Sequence, residues 1–165
     1  MSSIDKSQTI APDPVRASRT NAGSVDRFER MLAQSQADPA AFWGQAAADF
    51  HWIRPWRTVL EGSFPHFKFF SEGIANPCYN LLDRHLAKGM DNRVALIWEG
   101  ENGDRAFYTY RMLHVEVCRF ANVLKKYGLV KGDTVALILP NLPEAVIATL
   151  ACFRLGGAGM GRWRD

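Results

Sequence analysis

The most informative stretch of the chain lies between Asp133 and Gly157. Val135-Ala136-Leu137-Ile138-Leu139 is a short apolar run bounded by Gly132-Asp133 and Pro140. Its length and its β-branched residues predict a strand buried on both faces. Asn141 is placed to cap a helix, with Glu144 three residues on and Pro143 in the first turn. Residues 145–153 are apolar almost all round, so that helix expects neighbours on every side. A buried strand followed by such a helix is the first two-thirds of a βαβ unit, whose third element must be a parallel strand. The run Gly157-Ala158-Gly159-Met160-Gly161-Arg162-Trp163-Arg164-Asp165 lacks the pattern of that strand. The reading is therefore an incomplete domain.

Upstream, Val94-Ala95-Leu96-Ile97-Trp98 and Ala106-Phe107-Tyr108 read as a hairpin around a polar turn with Gly100 and Gly103. Thr109 is predicted to cap the next helix, in which Leu113, Val117, Phe120, Ala121 and Leu124 fall on one face. Lys125 and Lys126 suit its C-terminal dipole, and Gly128 ends it. From Val94 the order is β-β-α-β-α, an α/β layout with helices packed on a sheet. Before it, Ser24 caps a helix to about Gln34 carrying Val25, Phe28 and Leu32, and Asp38-Pro39 opens a second helix with Phe42, Trp43, Ala46, Ala47 and Phe50. Asn76-Pro77 starts another, through Tyr79, Leu82 and Leu86 to Gly89. Residues 52–70 are dense in aromatics and broken by Pro55 and Pro65, which predicts an irregular strap.

Residues 1–23, rich in Ser, Thr, Pro, Asp and Arg, are expected to be a disordered lead-in. Twenty basic and 17 acidic residues leave a net charge of +3, scattered along the chain rather than gathered in a nucleic-acid footprint. Cys78, Cys118 and Cys152 are odd in number and far apart, so neither a zinc site nor a disulfide framework is indicated. They read as small buried hydrophobes in a reducing compartment. No apolar run approaches the roughly 20 residues of a membrane span, and the N-terminus lacks the apolar core of a signal peptide. The expectation is a cytoplasmic chain with no nucleic-acid or membrane partner.

Candidate chemistry is sparse. Trp52-Ile53-Arg54-Pro55-Trp56-Arg57 interleaves aromatics with arginines, the make-up of a base-stacking platform. An extended strap whose rings anchor in a larger body accounts for the same residues. Asp83-Arg84-His85 sets three able side chains in a row, but helical neighbours point about 100° apart and do not converge by themselves. His85, and the isolated His51, His66 and His114, read as hydrogen-bonded structural histidines. The glycines of 157–161 follow a predicted helix rather than a strand, the wrong context for a dinucleotide loop. No P-loop, H-E-x-x-H or G-x-S-x-G is present. No catalytic, cofactor-binding or metal-ligating residue is assigned.

Several short motifs occur together in order. They are Phe42-Trp43, Trp52…Pro55-Trp56…Val59, Tyr79-Asn80…Asp83-Arg84-His85, Ile97-Trp98-Glu99-Gly100-Glu101 and Tyr108-Thr109-Tyr110-Arg111. Glu116-Val117-Cys118-Arg119-Phe120-Ala121-Asn122, Lys131-Gly132-Asp133, Pro143-Glu144-Ala145-Val146, Leu150-Ala151-Cys152 and Leu155-Gly156 continue the series. From about residue 25 to 156 the chain resembles the N-terminal region of AMP-forming acetyl-CoA synthetases, acetate–CoA ligases of the adenylate-forming acyl-CoA synthetase family. The resemblance implies an incomplete part of a large α/β domain over 91–156, preceded by a helical and aromatic-rich region over 24–90 and followed by a non-family tail over 157–165. It implies ATP, Mg²⁺ and coenzyme A for the complete family enzyme, which makes acetyl-AMP and transfers the acetyl group to coenzyme A. The family's phosphate loop, ribose-gripping acidic motif and C-terminal-domain lysine all lie downstream of the matched region, so no catalytic residue carries over. Met112 stands where the family has an acid completing the Thr109 capping box, and Ser71-Glu72-Gly73 replaces a glycine pair. The expectation is an inactive N-terminal fragment, marginally stable, self-associating through uncovered Val146, Ile147, Leu150 and Phe153. The alternative is an interaction module that docks on a full-length acyl-CoA synthetase.

Overall fold

The computed structural model describes residues 13–156 and 158–162. They divide into two compact units, 13–49 with 58–71, and 50–57 with the remainder.

In the first unit, α1 (Pro14–Ser18) is capped by the Asp13 carboxylate. A short helix thus stands where the lead-in was expected to be disordered; residues 1–12 lie outside the described residues. Ser24 caps α2 (Val25–Ala37), and Asp38 caps α3 (Pro39–Ala48), whose proline fills the first turn. The expected irregular strap instead contains an antiparallel hairpin, β1 (Thr58–Ser63) with β2 (His66–Ser71), pairing Ser63 with His66. Pro65 sits in the two-residue connection, outside the ladder, where its missing N–H costs no strand hydrogen bond. Gly62 adopts φ +91°, and a Cβ there would run into the carbonyl oxygen of His66. The β2 rings are not anchored as expected: Phe67 and Phe69 stay about half exposed, in edge contact at 5.8 Å.

In the second unit, Cys78 and the π-helical turn Tyr79–Asp83 lead into α4 (Arg84–Ala87), so the predicted single helix changes pitch midway. β3 (Val94–Glu99) and β4 (Arg105–Thr109) form the predicted hairpin. Thr109 caps α5 (Tyr110–Lys126) by accepting the Met112 N–H at 3.2 Å. β5 (Thr134–Ile138) leads to α6 (Pro143–Leu155). Leu142, not Asn141, occupies the cap position of α6, because Pro143 takes the first helical residue. Asn141 lies one residue outside and accepts the Trp98 Nε1–H through its backbone carbonyl at 2.7 Å.

Two corrections concern the βαβ reading. β6 (Ala158–Arg162) does form the third element, pairing parallel with β5 in register from Thr134↔Ala158 to Ile138↔Arg162. Glycines carry no strand-like side-chain pattern, but a ladder is made by backbone N–H and C=O groups, and propensity is a weak prior against an open edge. Nor is β5 buried on both faces: Val135 and Leu137 are half-buried, while Ile138 is 71% exposed. α6 is better covered than expected, with Leu150 buried and Val146, Ile147 and Phe153 half-buried.

The core of this unit is built by Cys78 and Leu82 from the π-helical turn and its approach, Leu113, Val117 and Ala121 from α5, and Leu150 and Ala151 from α6. Among the described residues no helix is long and apolar enough to cross a membrane.

Candidate functional site

Polar chemistry in the second unit gathers around Asp83. Arg154, on the last turn of α6, holds its carboxylate with one guanidinium nitrogen at 2.9 and 2.7 Å from the two oxygens. His114, on α5, places Nε2 3.2 Å from Oδ1, and the Cys78 thiol donates to Oδ2 at 3.8 Å. The Asp83 and Arg154 side chains are only 20% and 24% exposed, so the attraction is weakly screened. Burial alone would lower the proton affinity of Arg154, but its hydrogen bond with Asp83 and the electrostatic pull of Cys78, Asp83 and Cys118 together hold it raised. Burial pushes the Cys78 thiol up to about 11, against the opposing pull of Arg154.

Two asparagines frame this junction. Asn76 donates through Nδ2 to the carbonyls of Phe153 (3.1 Å) and Arg154 (3.3 Å) at the end of α6, the first of which also accepts the Gly156 N–H. Gly156 closes that helix in the left-handed conformation, φ +79°. Buried Asn80 accepts the His51 N–H at 2.8 Å and donates to the His51 carbonyl at 2.9 Å. A cleft of about 240 Å³ opens beside them, lined by His51, Asn76, Tyr79, Asp83 and Arg154. Arg154 Nε is buried there without a hydrogen-bond partner.

Asp83, Arg84 and His85 diverge, as their spacing predicted. Arg84 reaches back to Asn80 at 3.1 Å, and His85 stacks on Tyr110 with centroids 4.7 Å apart. His85 is a stacked rather than a hydrogen-bonded histidine: its Nδ1 is buried and unpartnered. Burial, then the charges of Arg84 and Lys88, lower its pKa from 6.5. His114 is not isolated; besides Asp83 it faces Cys118, four residues on, with Sγ 3.9 Å from Nδ1 and 3.7 Å from Nε2. That i, i+4 spacing was the available signal. Nothing in the sequence pointed from Asp83 to Arg154, 71 residues away. The strap tryptophans Trp52 and Trp56 are half-buried, in edge contact with each other at 4.8 Å. Among the described residues no group of three or more His, Cys, Asp or Glu side chains is placed to hold a metal ion.

The contacts of the junction run between the π-helical turn, α5 and α6, so its residues hold those segments together. Comparison with known proteins places it in context. Residues 28–81 match the family described as acetyl-coenzyme A synthetase N-terminus, and residues 82–161 match the AMP-binding enzyme family. The chain belongs to the acetyl-coenzyme A synthetase family, to its N-terminal region. It is 41% identical to the acetyl-coenzyme A synthetase of Chlorobaculum tepidum over 153 residues, 93% of this chain and 23% of that protein. To that of Syntrophus aciditrophicus it is 48% identical over 135 residues, 79% of this chain and 21% of the relative. To that of Deinococcus radiodurans it is 46% identical over 129 residues, 78% and 20% respectively. The chain thus spans about a fifth of the length of these synthetases. The AMP-binding match runs to residue 161, through the backbone of β6. The two family matches abut at 81/82, within the π-helical turn itself.

Proposed function

We propose that the chain is the N-terminal scaffold of an AMP-forming acetate–CoA ligase and does not catalyse the reaction by itself. In the full reaction ATP, acetate and coenzyme A give acetyl-CoA, AMP and diphosphate. The observation that carries the reading is the unbroken match from residue 28 to 161 across two abutting families. The resemblance puts the phosphate loop, the ribose-gripping acid and the catalytic lysine of such ligases further along the sequence. In this reading ATP, Mg²⁺ and coenzyme A are held by those later segments, in the cytoplasm. The packed pair α5–α6, tied to the π-helical turn by Asp83 and Arg154, supplies the framework on which they assemble. The test is acetate- and coenzyme A-dependent AMP release. The purified chain is expected to give none above background, and turnover by the chain alone would overturn the reading.

A second reading, an interaction module docking on a full-length acyl-CoA synthetase or on a second copy, draws support from apolar side chains left in the open. Ile97, Phe107 and Ile138 are 75, 63 and 71% exposed, and among the described residues β5 is paired on one edge only. Stoichiometric co-purification with a complete synthetase would favour it; a chain that elutes alone would not.

A further inference from the structure

We propose that Trp163 and Arg164, the residues that follow β6, seat in the groove between α5 and α6, the indole against its apolar walls and the guanidinium on Glu144. The groove holds about 540 Å³, and its apolar walls include Phe120 and Val123 of α5, Ile147 of α6, and Leu139 just past β5. None of the four is fully buried, and Val123 is 45% exposed. An open concavity of this volume, mostly apolar with a few charged groups, has the make-up of a binding site. Two carboxylates line it. Glu116 is taken up by Arg119 of the same helix at 2.7 Å. Glu144, exposed on the first turn of α6, forms no ion pair among the described residues. The groove therefore offers apolar contact beside one unpaired negative charge.

The register of β6 delivers the next residues to this place. Arg162 pairs with Ile138, the residue before Leu139. A ladder continued by one residue would set Trp163 level with Leu139. Strand residues alternate between faces, so that position falls on the face of Leu139 and opposite to that of Ile138. Leu139 lines the groove. Two extended residues past Arg162 span up to about 7 Å, against roughly 4.8 Å between neighbouring strands. The reach is sufficient.

The chemistry of the pair matches that of the groove. Tryptophan brings a large apolar surface, with an N–H that stays satisfied where one end of the ring meets water. Arginine carries the planar fork that fits a carboxylate, and Glu144 is the carboxylate without a cation. Seated this way, the pair covers Leu139 and Ile147, apolar surface otherwise open to solvent or to a second copy.

The test is nuclear magnetic resonance of the full chain with labelled isoleucine, leucine and valine methyls. Nuclear Overhauser contacts are expected from the Trp163 indole to the methyls of Val123, Leu139 and Ile147, assigned by their loss in W163A. W163A should also shift those three sets of methyls and leave Val25, on α2, unmoved. E144K should weaken the contacts, and the charge exchange E144K/R164E should restore them, because an exposed ion pair is weak but depends on sign. No contact from Trp163 to any of the three, or methyls unmoved in W163A, would overturn the proposal. Contacts seen only between differently labelled chains in a mixed sample would overturn it too, since a second copy would then fill the groove. Unchanged contacts in E144K, or no recovery in the double variant, would overturn the seat of Arg164 on Glu144. If E144K fails to fold, the contacts and the W163A shifts of the parent chain decide alone.

Discussion

At the scale of the residue, Asp83 and Arg154 decide most. Removing one partner of a poorly screened ion pair leaves the other charge without compensation, which costs more than the pair contributes. R154A should lose about 2–4 kcal/mol in urea denaturation, a little under the fully buried case because both side chains keep some exposure. His85 gives a pH signature. Its folded pKa is below 6.5, so between that lowered value and 6.5 the unfolded chain binds more protons than the folded one. Stability should be full above pH 6.5 and fall as pH drops through that window; H85F, which keeps a ring against Tyr110, should flatten that decline in thermal melts at stepped pH. Thr109 was legible as a cap because capping is local. The partner of Asp83 was not, because only the packing of α6 against α5 and the π-helical turn brings Arg154 to it.

At the scale of the element, the two helix starts of the α/β part make a contrast. T109A should cost about 1 kcal/mol, since it removes an acceptor from the Met112 N–H. N141A should stay within about 0.5 kcal/mol, because only its backbone carbonyl is engaged. Chemical denaturation of the two variants side by side checks both. Hairpin β3–β4, α5 and α6 were readable because each carries an apolar period or a local stop signal. β6 was not readable, since its glycines carry no side-chain pattern and its pairing comes from the free edge of β5. Hairpin β1–β2 was hidden by Pro65, which marks a turn between two strands rather than the end of regular structure.

At the scale of the whole molecule, the boundary between the two family matches is not a boundary of packing. Cys78 and Asn80 precede it and Leu82 and Asp83 follow it, yet Cys78 and Leu82 share one core with α5 and α6. Asn76 closes the end of α6 from the N-terminal side of the same boundary. The central claim is that the last turn of the synthetase N-terminal region is a structural part of the AMP-binding region. The fold class was legible from the β-β-α-β-α order, whereas this joining was not, because the core is shared between segments distant in sequence. Amide hydrogen exchange followed residue by residue tests the claim most directly. If it holds, the amides of residues 79–83 exchange with the same opening free energy as the centres of α5 and α6, as one cooperative unit. Fast exchange at 79–83 beside protected helices α5 and α6 would contradict it.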